Sequence, residues 1–594
     1  MPRPRLQRPA RQPGRSRRRG PGHPARPGGR GARRAVPHGE PALGPDPRRV
    51  PRPHGPHGGP LPGGGRGGGR RRAGRPRRPG CGPRAGGVTV RLLLIGIDGA
   101  TAEVLGPAMD GGLMPHLSAL RARGWMTGLQ STLPAATAPA WATFMTGVTP
   151  RRHGILDFLR YDRSTGRVRF VHAGDLQVAT LWAYLSRADV VVGVVNLPLT
   201  YPPPPVRGFL VAGLLTPSLD TVFTHPASLA REVLARFPRY RIVAAEQQTG
   251  GSRERLLAEA GEEFAVRAAA AEWLVARYRP DVVMVQFQSL DPLQHRFWPE
   301  VCAATAGAGA RDLTGALRAL DEAVGRVAAL ADGAPVLVLS DHGFTGKVGT
   351  LYPNRLLGQW GLLRPRGRGP FARLRSALRR AIRACPSPDA AAALPEVIRA
   401  RSRRAGVLSG RGTVARHLHG DLVAAIYLSG GAGPGSAADP PAGSLADRLA
   451  AGFVALTDRE GRRVVQAAGP GEAFAGPLGP EVVVVPEAGW VCSRRADAGP
   501  PLVPLAQGGT HAATGILLGA GLPLPPSPPR LQDLTPTVLG LLGLPLPDGL
   551  DGVPLFGAPE GAAASVAAGR VERVMSPEEE QAVAAQLRAL GYLQ

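Results

Sequence analysis

The run Val88-Thr-Val-Arg-Leu-Leu-Leu-Ile-Gly-Ile97 is apolar almost throughout, and Asp98-Gly99 follows it directly. A strand with one wet face alternates apolar and polar residues. A continuous apolar run marks a strand buried on both faces, as in a parallel sheet covered by helices. Val190 to Val195, Asp281 to Phe287 and Pro335 to Leu339 read the same way. Helical patterns lie between these runs: Met114 to Arg123, Leu176 to Arg187, Arg253 to Tyr278 and Ala310 to Ala331. This alternation predicts an α/β fold with a mostly parallel central sheet flanked by helices. Such sheets bind ligands at the carboxyl ends of their strands.

This α/β domain is expected to span residues 88–594. Between 365 and 480 the alternation weakens: an Arg-rich helical pattern, Phe371 to Arg404, precedes a Gly/Pro/Ala-rich stretch, Gly430 to Gly443. This segment reads as an inserted cap or lid. A strand returns at Glu481-Val-Val-Val-Val-Pro486, and helices are expected at Leu534 to Leu542 and at Ser576 to Leu590, the latter opening with Ser-Pro-Glu-Glu.

Residues 1–87 are nearly all Arg, Pro, Gly and Ala, a mixture that cannot bury enough surface to offset its ordering entropy, so disorder is expected there. The chain holds 72 Arg against the single Lys347, a sign of GC-biased coding. GC-rich DNA read in frame upstream of the true start yields such a segment, and the ordered protein is expected to begin near Val88. The formal net charge of +29 is concentrated here: residues 1–90 carry 23 Arg and two acids. The remaining chain is at +8, so no nucleic-acid partner is expected. Four scattered cysteines without a Cys-x-x-Cys pair argue against a disulfide framework. No run approaches the roughly 18 apolar residues of a membrane span, and no apolar core follows the basic N-terminus, so a cytoplasmic location is expected.

Acids and histidines recur directly after the apolar strands. Asp98 follows the first, Asp291 and His295 follow the strand ending near Phe287, and Asp341-His342 follow Val-Leu-Val-Leu-Ser340. His511 comes after a Gly-Gly-Thr turn, ahead of the apolar run Gly515-Ile-Leu-Leu-Gly519. Strand ends of one parallel sheet converge, and carboxylates with imidazoles suit Zn²⁺ or Mn²⁺. Six ligands plus a hydroxyl suit two ions. A lone Asp after a strand is more often a turn former or cap; His417 and His419 alternate in a stretch without other ligand types and His116 lies on a helical pattern, so these three do not belong to the site.

A fifth segment names a family. Thr132-Leu-Pro-Ala-Ala-Thr137-Ala-Pro-Ala-Trp-Ala-Thr-Phe-Met-Thr-Gly-Val-Thr-Pro-Arg-Arg-His-Gly-Ile155 resembles the nucleophile region of the type I phosphodiesterase/nucleotide pyrophosphatase branch of the alkaline phosphatase superfamily. Asp98-Gly99, Asp291 with His295, Asp341-His342-Gly343, His511, Asp533-Leu-Thr-Pro-Thr-Val-Leu539 and Leu550-Asp-Gly-Val-Pro-Leu555 extend the likeness over about residues 90–594 apart from the cap.

The resemblance implies that Asp98, Thr137, Asp341 and His342 hold one ion and Asp291, His295 and His511 the other, with zinc expected and manganese as the alternative. Thr137 is then the nucleophile toward a small-molecule phosphate ester, forming a phosphothreonine that water cleaves. The competing structural role for Thr137 is to cap a helix beginning near Pro139, and His153 is expected to shape its turn. Two departures bear on substrate. Ala140 stands where nucleotide pyrophosphatases typically have Asn, a donor to the phosphate. Thr137-Ala-Pro-Ala-Trp141 also lacks the Cys-x-Pro-x-Arg of sulfatases. A phosphomonoesterase of the same superfamily, or a binding protein that keeps the fold without activity, are the alternatives.

Overall fold

The computed structural model describes residues 90–163, 165–243, 252–308, 311–363, 415–419, 422–428, 442–476, 479–497, 499–505, 507–557, 562–563 and 575–590. The expectations for 1–87, for Phe371 to Arg404 and for 430–441 lie outside these residues.

Eight strands form the central sheet among the described residues: β1 (Leu92–Ile97), β2 (Gly124–Gln130), β3 (Val192–Leu197), β4 (Gly208–Ala212), β5 (Thr224–His225), β6 (Val282–Phe287), β7 (Val336–Leu339) and β8 (Thr514–Ala520). Their order is β2-β8-β7-β1-β6-β3-β4-β5. The central run β7-β1-β6-β3-β4 is parallel. Strand β8 runs antiparallel to both β7 and β2, and β5 antiparallel to β4. The fold is therefore α/β with a mostly parallel sheet, as the apolar runs require.

Alternation along β1 divides the core. Leu93, Ile95 and Ile97 face one layer, packed with Phe264, Leu317 and Val324. Those side chains come from α2 (Arg253–Tyr278) and α4 (Arg311–Ala329). Leu92 and Leu94 face the other layer, with Trp141, Phe144 and Trp182. Both faces are dry, which explains why the strand has no polar period.

Several boundaries differ from the sequence reading. The helix expected from Leu176 starts only at Leu181, because Asp175 closes its own short turn, accepting from the His172 N–H at 3.0 Å and pairing with Arg169. The helix of the Thr132–Ile155 segment, α1 (Thr137–Thr146), starts at Thr137 rather than near Pro139, with Ala136 in the cap position. The Gly-Gly-Thr stretch ahead of His511 is not simply a turn: Gly509 and Thr510 already belong to the strand Gly509–Ala512, which carries His511 and pairs antiparallel with Gly343–Gly346, and that pairing draws His511 back to His342.

A second sheet, Ala415–His419, Ala424–Leu428, Val482–Pro486 and Val465–Pro470, is antiparallel. It shares an apolar core with Leu351, Leu357 and Cys492, which lie outside 365–480. Among the described residues no helix is long and apolar enough to cross a membrane.

Candidate metal centre

Three strand ends deliver the acids. Asp98 follows β1; Asp341 and His342 follow β7, which is β1's neighbour on one side. On the other side β6 leads into α3 (Leu290–Thr305), whose first turns carry Asp291 and His295 one helical turn apart. The turn at Gly99 has φ +68, a backbone conformation favouring glycine, and a Cβ there would lie 3.2 Å from Asp291 Oδ2 and 3.1 Å from Gln294 Nε2. Its N–H donates to Asp341 Oδ1 at 3.2 Å.

All seven predicted residues meet. His342 Nε2 lies 3.2 Å from Asp341 Oδ2, 3.6 Å from Asp98 Oδ1 and 3.3 Å from Thr137 Oγ1. His511 Nε2 lies 3.1 Å from Asp291 Oδ2 and 2.9 Å from His295 Nε2, and His295 Nε2 is 3.5 Å from Asp291 Oδ1. The His342 and His511 rings stack at 3.6 Å. Asp98 with Asp341 and His342, and Asp291 with His342 and His511, are each close enough to hold one cation. His342 thus belongs to both groups, whereas the sequence reading gave it to one ion only. His116 and His417 lie elsewhere, on Pro115–Ala122 and Ala415–His419.

Two observations fit a cation here. Asp98 Oδ1 and Asp341 Oδ2 are buried without a hydrogen-bond partner, a costly arrangement for an anionic oxygen unless a positive charge faces it. The imidazoles are also poised in one tautomer. Each Nδ1 faces a backbone carbonyl: His342 to Gly343 O, His295 to Gly509 O and His511 to Ala135 O, all at 3.1 Å. A carbonyl only accepts, so each Nδ1 carries the proton and each Nε2 turns its lone pair inward. This is the outer-shell arrangement of metal-ligating histidines.

The electrostatics agree. Burial, then the charges of Asp341 and Asp291, pushes the Asp98 carboxyl well above its ordinary range. Burial, with the Asp291 charge, does the same to Asp341. Burial also penalises charge on Asp291, but the imidazoles of His295 and His511 outweigh it and hold that carboxyl below the usual range. Burial lowers the His295 ring to about 4 and His342 well below its ordinary value, so both are neutral at pH 7. A dication removes the mutual repulsion of the three carboxylates.

Around these residues lies a shell the motifs did not reveal. Asp98 Oδ2 accepts from Trp141 Nε1 at 2.9 Å and from Gln286 Nε2 at 3.1 Å, and Asn196 Nδ2 donates to Gln286 Oε1 at 3.3 Å. Gly96, paired with Gln286, makes room: a Cβ there would come 2.6 Å from the Trp141 ring. Gln286 and Asn196 were visible as single amides in otherwise apolar buried strands. Behind α3, Arg267 pairs with Glu263, both buried. Glu263 accepts from Ser289 Oγ and, at 3.3 Å, from the Gln288 N–H, fixing the turn into α3. His153 is fully buried away from the centre. Its Nδ1 accepts from the Ile155 N–H at 3.2 Å, so Nε2–H donates to Thr143 Oγ1 at 3.0 Å.

An α/β sheet that gathers carboxylates, imidazoles and a threonine at its strand ends defines the class of metal-assisted ester hydrolases. The family model for type I phosphodiesterase / nucleotide pyrophosphatase matches residues 92–499. The chain belongs to that family, a branch of the alkaline phosphatase superfamily, and is a phosphoester hydrolase. Two solved structures of phosphonoacetate hydrolase from Sinorhizobium meliloti 1021 are similar. The complex with phosphonoformate is 19% identical, with TM-score 0.48, covering 75% of this chain and 94% of that one. The complex with phosphonoacetate is 18% identical, with TM-score 0.47 and the same coverage. No curated protein matches the chain significantly.

Proposed function

We propose that the chain cleaves phosphate esters, phosphodiester or pyrophosphate-type, with two divalent ions and Thr137 as nucleophile. The observation that carries this reading is the position of Thr137 Oγ1: fully buried, 3.3 Å from His342 Nε2, at the first residue of α1. The side-chain groupings support Asp98, Asp341 and His342 holding one ion, with Thr137 beside it, and Asp291 and His511 holding the other; His295, its Nε2 2.9 Å from His511 Nε2, would complete that second set. Zinc suits this oxygen–nitrogen donor set, with manganese second. When bound, the ions would lower the pKa of the threonine hydroxyl and neutralise charge on the phosphate oxygens.

The protein's own groups supply the rest. The N–H groups opening α1 donate hydrogen bonds to the anionic phosphate oxygens. Trp141 and Gln286 hold Asp98 so that its second oxygen faces His342. Thr137 Oγ gives up its proton and forms a bond to phosphorus as the bond to the leaving oxygen breaks; the alcohol or phosphate that leaves takes up a proton. Water then attacks the phosphothreonine, breaking its Oγ–P bond, returning a proton to Oγ and releasing the phosphate monoester of a diester or pyrophosphate-type substrate. Metal analysis of the purified full chain is expected to show about two ions per chain. A panel of aryl monoesters, aryl diesters and nucleotide diesters, with zinc and with manganese, is expected to show metal-dependent hydrolysis. A protein that binds no metal and turns over none of these esters would refute the proposal.

A further inference from the structure

We infer that the organic group of the substrate is uncharged and apolar, an alkyl or aryl substituent seated in a cleft beside His511. This deepens, and rests on, the reading of the site as a phosphate-ester hydrolase. The cleft lies between the metal centre and the second-sheet region, and His511 forms part of its wall. One side is Leu133 and Pro134, from the loop just ahead of Thr137. That wall is tied to the centre, because Ala135 O, the next carbonyl along, receives the His511 Nδ1–H at 3.1 Å. Val485, Pro486 and Trp490 also line it.

Leu133 is a large apolar side chain left 39% exposed, although the rest of its segment is largely buried. Placed at the mouth of a reaction centre, such a side chain gains most when a ligand covers it. The charges select the same ligand. Among the described residues no Arg or Lys lines the cleft, and its one ionisable side chain besides His511 is the carboxylate of Glu487. Arg463, outside the lining, engages Glu487 at 2.5 Å. A leaving group with further phosphates would enter without a counter-charge and meet a carboxylate. An alkyl or aryl group would instead remove Leu133 from water beside the already buried Val485 and Trp490.

The test uses the zinc-loaded full chain and non-hydrolysable ligands in calorimetric titration: inorganic phosphate, pyrophosphate, and methyl-, propyl-, butyl- and phenylphosphonate. Affinity is expected to rise about two- to fourfold per added methylene, with butyl- and phenylphosphonate binding more tightly than pyrophosphate. Leu133→Ser should flatten the series, and Leu133→Met should preserve it. A flat series in the unsubstituted protein, or tighter binding of pyrophosphate, overturns the inference. Turnover of 4-nitrophenyl esters is measured alongside. Turnover with a flat series rejects the apolar cleft alone, and a rising series without turnover rejects the catalytic reading alone.

Discussion

The indole Nε1 of Trp141 donates to Asp98 Oδ2 at 2.9 Å, so the residue that follows Ala140 in the nucleophile helix holds a carboxylate at the end of β1. Replacing Trp141 with Phe keeps a buried aromatic ring and deletes only that donor. Zinc affinity, measured by competition with a chelator, is expected to fall roughly 10-fold or more, with the far-ultraviolet circular dichroism unchanged. Undiminished affinity would show that Gln286 alone orients Asp98.

Thr137 makes no capping hydrogen bond, the cap position being Ala136. Thr137→Ala therefore removes the hydroxyl without removing a cap. The variant should melt with the parent protein and lose at least about 10³-fold in turnover. Acid quenching during turnover followed by mass spectrometry should find phosphate on Thr137 of the parent. Retained activity in Thr137→Ala would reject it as nucleophile.

Asp341→Asn separates charge from shape. The Asp98 carboxyl is driven well above the ordinary range by burial and by the charges of Asp341 and Asp291, and the Asp341 carboxyl by burial and the charge of Asp291. With chelator present, the variant should melt at or above the parent's temperature, since one buried negative charge is gone. With excess zinc the parent should gain several degrees and the variant much less, because ligand binding stabilises only a form that binds it. Equal zinc-induced shifts would exclude Asp341 from the centre.

His153 should make stability depend on pH. Burial lowers its ring from the ordinary 6.5 to about 3. Between these values the unfolded chain binds a proton that the folded chain excludes, so stability falls as the pH drops from 6.5 toward 3. The slope for one such group is at most about 1.4 kcal/mol per pH unit. In His153→Asn, whose amide oxygen can still accept from the Ile155 N–H, that contribution disappears. Urea unfolding between pH 4.5 and 7 should show the advantage of the parent shrinking as pH falls; parallel pH slopes for the two proteins would contradict a buried neutral ring.

Arg267 is expected to be the most sensitive residue distant from the site. Arg267→Met strands the Glu263 carboxylate, which is 2% exposed, and should cost about 3–5 kcal/mol. Adding Glu263→Gln should recover part of that loss in denaturant melts. No recovery would mean that the arginine acts through its bonds to the Ile242 and Gln286 carbonyls instead.

The sequence by itself determined strands β1, β3, β6 and β7, the helices Arg253–Tyr278 and Arg311–Ala329 between them, and the seven residues that the centre gathers. Such features are local: a strand buried on both faces is apolar at successive positions, and a residue at its carboxyl end sits at the sheet's reactive edge wherever the strand lies. Tertiary structure decided how these pieces combine. The antiparallel insertion of β8 between β2 and β7, and the pairing of Gly509–Ala512 with Gly343–Gly346 that brings His511 beside His342, join segments more than 150 residues apart along the chain. The choice of Trp141 and Gln286 as partners of Asp98 follows from β1–β6 register and from the space left at Gly96. Pairing and packing are selected by the free energy of the whole sheet, so no single segment encodes them.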